Sequence, residues 1–322
     1  MSAAVTERST ADPERDLEQY RRELTGYCYR MLGSPFDADD AAQETLVKAW
    51  QKLDGFEGRS SVRSWLYRIA TNVCLDALRA GGRRATPMDL SSPVPCTTAP
   101  GTPLPEQTWL LPIGDGDLLT DPADRAVLQD SVRLAFVAAL QHLPPRQRAA
   151  LLLRDVFAWP AADVAELLDT TVASVNSALQ RARATLSSVD TGAATTPLDD
   201  DDRALLARYV AAFESYDMDA LLQVLHADAS ISMPPLALWL SGREDVLGWY
   251  TGFGSACAGS RLVPVGLNGQ PGYAQYKPSP AGGLEAWCLQ VVEVADGQVV
   301  HVHHFLGPEL FLRLGLPVHL EE

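Results

Sequence analysis

The chain has 322 residues, enough for two or three domains, and 47% of them are hydrophobic, an ordinary proportion for a protein with packed cores. Its polar N-terminus and the lack of an apolar run of membrane-spanning length predict a cytoplasmic protein without a membrane segment. Five cysteines without a CxxC pair predict reduced thiols, with no metal site and no cofactor. The net charge of −15 argues against nucleic-acid binding unless the charge is unevenly distributed.

The charge is uneven along the chain. Residues 15–84 carry 12 basic and 10 acidic residues, whereas residues 85–124 carry six acidic residues and no basic one. Residues 125–188 have a net charge of +2, and residues 199–322 a net charge of −10. Neither weakly basic segment neutralises enough phosphate to hold duplex DNA tightly by itself. This distribution is typical of a protein that a larger partner brings to DNA.

Apolar residues at helical spacing predict a helix over residues 15–33 and a second from Asp37 to Leu53. Asp37 is the expected N-cap of the second helix, and Leu46 and Trp50 are expected on its buried face. The opposite face carries an acidic strip with one apolar residue: Asp39, Asp40, Gln43, Glu44 and Val47. Such a strip is either solvated surface or a protein-binding face.

A third helix is predicted from Val62, capped by Ser60 or Ser61, with Trp65 and Ile69 on its buried face. Its other face is basic and polar, and the helix runs into an arginine pair after two glycines. These polar residues are Arg63, Tyr67, Arg68, Thr71, Asn72, Arg79, Arg83 and Arg84. An acidic helix beside a basic one indicates a protein partner on one side and a nucleic acid on the other.

The motifs DAxDxxQExxxxAW (37–50) and WLYRIATN (65–72) resemble region two of the extracytoplasmic-function sigma factors, the promoter-recognition subunits of bacterial RNA polymerase. The resemblance implies that the acidic strip binds the clamp of core RNA polymerase. It also implies that the third helix meets the upstream promoter hexamer as it melts. The DNA-binding residues expected there are Arg63, Tyr67, Asn72, Arg79, Arg83 and Arg84. The region-two domain is expected over residues 15–84.

Residues 85–124 are predicted to be an acidic, proline-rich linker, because prolines interrupt every helical period. In the sigma family the corresponding linker threads the polymerase cleft and the RNA exit path, where acidic residues would stand in for RNA. An apolar island at residues 108–113 is either a docking peptide for another domain of this chain or a small local cluster.

Residues 125–188 are predicted to form a second helical domain. A helix is expected over 126–140, another after Pro144 and Pro145, and a helix-turn-helix over 161–168 and 172–186, with Val172 on the buried stripe. Behind the LPPRQR motif (143–148), this pattern resembles sigma region four, which reads the distal promoter hexamer and binds the polymerase flap. The expected DNA contacts are Ser174, Asn176, Ser177, Gln180, Arg181 and Arg183. Relatives usually have Lys and Arg where Asn176 and Ala178 stand, so a weaker phosphate grip is expected.

After a linker at residues 189–198, residues 199–317 are predicted to be α+β, with a final hairpin that turns at Asp296 and Gly297. The order of elements resembles a SnoaL-like domain, a curved sheet wrapped on helices into a cone-shaped barrel. The predicted fold is therefore multidomain, with two all-α helical domains and one SnoaL/NTF2-like domain. Its expected pocket residues are Met233, Trp239, Tyr250, Phe253, Asn268, Tyr276, His303 and Phe305.

Relatives of this fold include enzymes, so Asp228, His301, His303 and His304 are considered as catalytic or metal-binding residues. His301 and His303 share one strand face and His304 the other, and no carboxylate is expected beside them. A structural role is the commoner explanation. We interpret the chain as a non-enzymatic sigma factor that binds core RNA polymerase and promoter DNA, with a fused domain that modulates it. The alternative is a C-terminal domain that senses a small ligand or converts it, tethered to a DNA-binding half.

Overall fold

The computed structural model describes residues 17–58, 60–118, 131–189 and 198–321. Predictions that concern residues 119–130 and 190–197 lie outside these ranges. The first part of the chain is helical: α1 (Arg21–Leu32), α2 (Pro35–Gln51), α3 (Val62–Gly81) and the short α4 (Pro87–Leu90). Helices α1, α2 and α3 pack on one another through a shared apolar cluster. No helix in the described ranges is long and apolar enough to cross a membrane.

Helix α2 begins earlier than predicted, because a better cap precedes Asp37. The Ser34 hydroxyl accepts a hydrogen bond from the Asp37 N–H, and Pro35 occupies the first helical turn, where its missing N–H is not needed. Asp37 is thus a first-turn residue, not the N-cap, and its charge still favours the helix dipole. Of the two caps considered for α3, Ser61 is the one observed.

The second helical unit consists of α5 (Leu134–Gln141), α6 (Pro145–Leu151), α7 (Ala161–Leu167) and α8 (Val172–Leu186), with a π-helical turn at Leu152–Val156. Among the described residues, the helix expected over 126–140 begins only at Leu134. Helices α7 and α8 form the predicted helix-turn-helix, and Thr171 caps α8. Val172 was expected in the core but is 43% exposed, because the whole first turn of α8 lies at the surface.

The C-terminal part contains helices and strands in alternation. The helices are α9 (Asp200–Glu214), α10 (Met218–Val224), α11 (Arg243–Thr251) and α12 (Glu309–Arg313). The strands are β1 (Leu225–Ser232), β2 (Trp239–Ser241), β3 (Arg261–Leu267), β4 (Gln270–Pro278), β5 (Leu284–Ala295), β6 (Gln298–Leu306) and β7 (His319–Leu320). Helix α9 starts at a capping box, in which Asp199 and Asp202 each accept the other's backbone N–H.

The strands form one sheet in the order β2-β1-β6-β5-β4-β3, with β7 beside the start of β5. Only β1 and β6 among the described pairs run parallel. The predicted turn joins β5 to β6, and Asp296 and Gly297 both have positive φ, 51° and 69°, as a two-residue hairpin turn requires. The predicted α+β architecture is confirmed.

The two faces of the sheet have different neighbours. One face packs against α9, α10 and α11 in a cluster that includes Tyr209, Phe213, Val292 and Val302. The other face joins the apolar cluster of the two helical units with Tyr276, Leu289, Val291 and Phe305. Burial of apolar surface is the main favourable term in such packing. The C-terminal domain is therefore packed on the helical part of the chain rather than tethered beside it.

Candidate functional site

The acidic strip of α2 lies at the surface. Four of its five residues are exposed: Asp40, Gln43, Glu44 and Val47. Trp50, expected in the core, is 55% exposed and extends this surface. That expectation is wrong because Trp50 lies at the end of α2, where the neighbouring Gln51 and Lys52 are exposed as well. The strip therefore combines carboxylates with two exposed apolar side chains, the composition of a protein-binding face.

Asp39, the fifth residue of the strip, is bound by the C-terminal domain. Arg313, at the end of α12, donates two hydrogen bonds of 2.9 and 3.1 Å to the Asp39 carboxylate and one of 2.7 Å to Asp117. The Arg313 side chain is 11% exposed. Burial raises the pKa of Asp39, although the charge of Arg313 opposes that rise. One guanidinium thus joins α2, the linker and the C-terminal domain.

The apolar island of the linker lies between α1 and the sheet. Asn268 exchanges two hydrogen bonds with Ile113, one from the Asn268 N–H to the Ile113 carbonyl and one from the Ile113 N–H to Asn268 Oδ1. Asn268 Nδ2 donates to the Tyr29 hydroxyl and to the Val132 carbonyl, at 2.7 and 2.6 Å. Of the two interpretations of the island, the docking peptide is confirmed. The prediction that Asn268 lines a pocket is wrong.

The earlier part of the linker follows the surface of the C-terminal domain. The Val94 N–H donates to the Trp239 carbonyl, and Trp239 Nε1 donates to the Ser91 carbonyl at 2.8 Å. The Leu104 N–H donates to the carbonyl of Pro235. Trp239 was predicted to line a pocket, but its indole binds the linker. Residues 91–104 of the linker are therefore bound to the C-terminal domain by hydrogen bonds.

Arg84 holds the start of the linker instead of facing solvent. Its guanidinium donates to the carboxylates of Asp37 and Glu106 and to the carbonyl of Trp109, at 2.7 to 3.1 Å. The side chain is 5% exposed. The prediction that Arg84 is available to DNA is wrong for this arrangement, because the linker folds back over it.

The predicted DNA-facing side of α3 is partly covered by the second helical unit. The Tyr67 ring is fully buried, with its centroid 5.1 Å from that of Trp159 and 5.4 Å from that of Phe157. Its hydroxyl donates to Glu23 at 2.8 Å. Thr71, one turn further along, is also buried. The prediction that Tyr67 and Thr71 are exposed is wrong, because Tyr67 packs on Phe157 and Trp159 and the Thr71 hydroxyl is hydrogen-bonded to that of Tyr27 in α1.

The buried side of α3 is consequently rotated about the helix axis relative to the predicted one. Trp65 and Ile69, expected in the core, are only half-buried. The exposed arginines on and after this helix are paired with carboxylates: Arg63 with Glu23, Arg79 with Asp76, and Arg83 with Asp89. Exposed ion pairs contribute about 0–1 kcal/mol each, so a phosphate group can replace such a carboxylate at little cost. Asn72 is exposed, with no side-chain partner among the described residues.

The polar face of α8 is open. All six predicted contacts are exposed: Ser174, Asn176, Ser177, Gln180, Arg181 and Arg183. Arg183 donates two hydrogen bonds to Asp155, at 2.9 and 2.7 Å. In the described ranges the side chains of Asn176, Ser177, Gln180 and Arg181 have no hydrogen-bond partner. Unlike α3, this helix presents the predicted residues together on one solvent-facing side.

The predicted pocket of the C-terminal domain does not form from the expected residues. Met233 belongs to the cluster around α9 to α11, whereas Tyr276 and Phe305 face the helical units across the sheet. Phe253 is 50% exposed, and its ring centroid lies 5.5 Å from that of Trp249 with the two planes tilted by 40°. It lines an open groove of about 490 Å³ with Cys96, Thr97, Gly248 and Gly252. The prediction of one shared pocket is therefore wrong, because strand alternation sends its members to opposite faces.

The inner face of the sheet, which is the face that packs against α9, α10 and α11, carries a series of polar side chains that are hydrogen-bonded to one another. The Tyr209 hydroxyl donates to Gln290 at 2.7 Å, and Gln290 donates to Gln275 at 2.8 Å. Gln275 in turn donates to Ser260 and accepts a bond from Cys288. All five residues are buried. The polar groups on this face, where a ligand was expected, thus have their hydrogen-bond partners within the domain itself.

The histidines of β6 divide as predicted, but a carboxylate accompanies them. The His301 and His303 rings are 3.9 Å apart on the face toward the helical units, and His304 is bonded to Tyr250 on the other face. Glu293 lies 3.4 Å from His303, so the expectation of no nearby carboxylate is wrong. Burial alone would raise the pKa of Glu293, but the hydrogen bond and charge of His303 lower it to about 2. The described residues contain no cluster suited to a metal ion.

Comparison with known proteins agrees with this arrangement. Residues 17–84 match Sigma-70 region 2, residues 133–186 match Sigma-70 region 4, and residues 206–302 match the SnoaL-like domain. The ECF RNA polymerase sigma factor SigG of Mycobacterium tuberculosis is 45% identical over 312 residues, which span 93% of this chain and 82% of SigG. The chain belongs to the ECF RNA polymerase sigma factors. The predicted family is confirmed.

A second sigma factor of the same organism extends the comparison to structure. The ECF RNA polymerase sigma factor SigJ is 27% identical over 308 residues, which span 92% of each chain. The crystal structure of SigJ matches the present sigma factor with a TM-score of 0.62 and 23% identity, over 94% of this chain and 99% of that chain. The three-part fold is therefore shared with a solved sigma factor.

Sequence reasoning missed Arg313 and gave Asn268 the wrong role, and both residues organise the site. Arg313 lies in a short helix after the last long strand and has no motif around it. Asn268 precedes Gly269, and Asn-Gly is a strong turn signal that identifies the β3–β4 hairpin. That signal gives the positive φ of both residues, but not the contact of the hairpin with the linker. The partners of both residues are more than 100 positions away.

Proposed function

We propose that the acidic strip of α2 binds core RNA polymerase, that α3 and α8 contact the two promoter elements, and that the C-terminal domain controls access to these surfaces. As an ECF sigma factor, the chain binds core RNA polymerase and directs it to promoters. In this reading the residues that meet polymerase are Asp39, Asp40, Gln43, Glu44 and Val47. A subunit of the transcription apparatus acts in the cytoplasm, and its role is recruitment without a chemical step.

The observation that carries this proposal is the binding of Arg313 to Asp39 and Asp117. A carboxylate whose two oxygens already accept bonds from Arg313 has few positions left for a cation of another protein. Asp39 lies in the strip where polymerase would bind, and Asp117 lies near the end of the described part of the linker. Arg313 of the C-terminal domain therefore competes with polymerase for Asp39 and, through Asp117, holds the linker in place.

The covered face of α3 supports the same interpretation. Phe157 and Trp159 occupy the space beside Tyr67 that a promoter strand would need. The two DNA-reading helices also belong to units that pack on each other, although they serve separate promoter elements. We infer that the structure is a closed state and that binding to polymerase favours an open one. Polymerase must bind the open state more tightly for this shift to occur.

Charge reversal on α2 tests the polymerase contact. Asp40→Lys with Glu44→Lys should abolish co-purification with core RNA polymerase, because reversed charges at a contact repel as well as lose their partners. The melting temperature should change little, since both side chains are exposed. A matched control is Asp200→Lys with Asp201→Lys, which reverses two exposed charges at the start of α9. A strip variant that folds and binds core polymerase normally would show that the strip is solvated surface.

Removal of the Arg313 side chain tests the control by the C-terminal domain. Arg313→Ala should increase the affinity for core polymerase and the transcript yield at limiting polymerase, because Asp39 and the linker are released. Arg261→Ala removes an exposed arginine of β3 that has no side-chain partner among the described residues, and it should leave both unchanged. Equal affinity of the Arg313→Ala variant and the unmodified protein would contradict the control role and leave the polymerase contact standing.

The structure gives less support to a ligand sensor or a small-molecule enzyme. The predicted pocket residues are divided between two faces of the sheet, and Tyr209, Gln290 and Gln275 bond to one another on the inner face. An enzyme of this fold would need an acid or base that faces a cavity. His301 and His303 instead lie between the sheet and the helical units.

A further inference from the structure

Helix α8 presents two amide side chains that have the same chemistry and no partner in the described part of the chain. Asn176 and Gln180 are both exposed, and they lie four residues apart, so they stand on one ridge of the helix. Four residues of helix rise about 6 Å. Base pairs are spaced about 3.4 Å apart, so the two amides span about two base-pair steps. Their spacing suits two bases of one recognition element.

The charge on this side of α8 is low. Arg181 is exposed and has no partner among the described residues, whereas Arg183 is held by Asp155. Phosphate contacts by arginine and lysine give affinity without sequence information. With only these two arginines to contact phosphate, α8 depends on contacts with base edges to recognise its site.

Asn176 and Gln180 differ from arginine in the base that they fit. A side-chain amide carries one acceptor and two donors, so its oxygen can accept from the N6 amino group of adenine while its nitrogen donates to N7. Arginine carries donors only, which suit N7 and O6 of guanine. We propose that Asn176 and Gln180 each read an adenine in the distal promoter element, about two base-pair steps apart. The proposal rests on the function proposed for α8 and adds the identity of the bases.

The first experiment uses the full chain with core RNA polymerase on promoter DNA randomised over the distal element. Selection by the holoenzyme should yield adenine at two positions near each other. Replacement of each of these adenines in turn by 7-deazaadenine removes the N7 acceptor and leaves base pairing unchanged. Each replacement should weaken binding by up to about tenfold, because it removes one of the two hydrogen bonds of a bidentate contact.

The variants assign each adenine to one side chain. Asn176→Ala should make binding insensitive to 7-deazaadenine at one position and leave the sensitivity at the other, and Gln180→Ala should do the reverse. Asn176→Arg should move the selected base at its position from adenine to guanine. Gln223→Ala removes an exposed amide from α10, far from this helix in sequence, and should behave like the unmodified protein.

The outcomes separate this inference from the proposed function. A holoenzyme that selects no sequence at the distal element contradicts the role of α8 itself. A holoenzyme that selects a sequence without paired adenines overturns the adenine assignment alone. The assignment is also overturned if both alanine variants keep the full sensitivity to 7-deazaadenine at both positions.

Discussion

Helices α3 and α8 carry the same kind of sequence pattern but meet different surroundings. Each has an apolar stripe on one side and arginine, amide and hydroxyl side chains on the other. On α8 the polar side is open, and its predicted residues lie together at the surface. On α3 the corresponding side is interrupted, because Tyr67 and Thr71 are buried against other helices.

The difference depends on how many neighbours a helix has. Helix α8 packs on α6 and α7 through one stripe, so a single period in the sequence describes its burial. Helix α3 packs on α1 and α2 on one side and also contacts α6 and α7, so more than one side of it is buried. Tyrosine and threonine can serve at a DNA surface or in a core, provided that the hydroxyl finds a partner. Amphipathic patterns therefore identify an exposed face reliably only when the helix has one packed side.

The largest expected effect comes from truncation of the covered face. Tyr67→Ala should lower the free energy of unfolding by about 3–5 kcal/mol, because it removes a buried ring that contacts Phe157 and Trp159. Tyr67→Phe keeps the ring and removes only the hydrogen bond to Glu23, which should cost about 1 kcal/mol. Urea unfolding followed by circular dichroism measures both. An alanine variant as stable as the phenylalanine variant would mean that α3 is not covered.

A smaller effect is expected at the β3–β4 hairpin, whose Asn268 holds the linker against the sheet. Asn268→Ala leaves the Ile113 N–H and the Val132 carbonyl without their partner, which should weaken the docking by roughly 2–4 kcal/mol. Hydrogen exchange of the peptide that spans residues 109–118 should become faster. Asp296→Ala is the control, because Asp296 also has positive φ but is exposed in the β5–β6 turn. Unchanged exchange in the Asn268 variant would contradict the docking role.

Acid should act on the C-terminal domain rather than on α3 or α8, neither of which contains histidine. Burial, followed by the charge of His303, lowers the pKa of His304 to about 4. Above pH 6.5 His304 is neutral in the folded and unfolded chain alike, so it adds no pH dependence. Below 6.5 the unfolded chain gains a proton that the folded chain does not, and stability is lost until the pH reaches about 4.

The slope expected from His304 is at most about 1.4 kcal/mol per pH unit. His304→Gln should flatten the dependence of unfolding free energy on pH between 6.5 and 4, although His301, whose pKa burial also lowers, leaves part of it. Urea unfolding at several pH values measures this slope. An equal slope in the variant and the unmodified protein would exclude His304 as a source.

The smallest effect is expected on the open face of α8. Arg183→Ala breaks the exposed pair with Asp155 and should cost about 0–1 kcal/mol of stability. Arg181→Ala removes an unpaired exposed side chain and should change stability by no more than about 0.5 kcal/mol. Thermal melting of both variants provides the measurement. A loss of several kcal/mol in the Arg181 variant would mean that this face is packed, as on α3.

Much of the fold could be predicted from the sequence, because its signals are local. Ser61, Thr171 and Asp199 cap helices in the structure, and Asp296 and Gly297 form the turn that their positive φ allows. The candidate site was predicted in part. The acidic strip and the polar face of α8 are exposed, whereas Trp50, Val172 and Tyr67 have the opposite burial from that expected.

The sequence by itself determined most of the long helices, the final hairpin and the family, because capping residues, turn residues and hydrophobic periods act over a few positions of the chain. Only the tertiary structure decided which polar faces remain open. Arg313 reaches Asp39 across 274 positions, and Asn268 reaches Tyr29 across 239. Such contacts depend on how separately formed units pack. The free energy of that packing comes mainly from burial of apolar surface, which is non-directional, so an apolar residue does not specify its partner in the sequence.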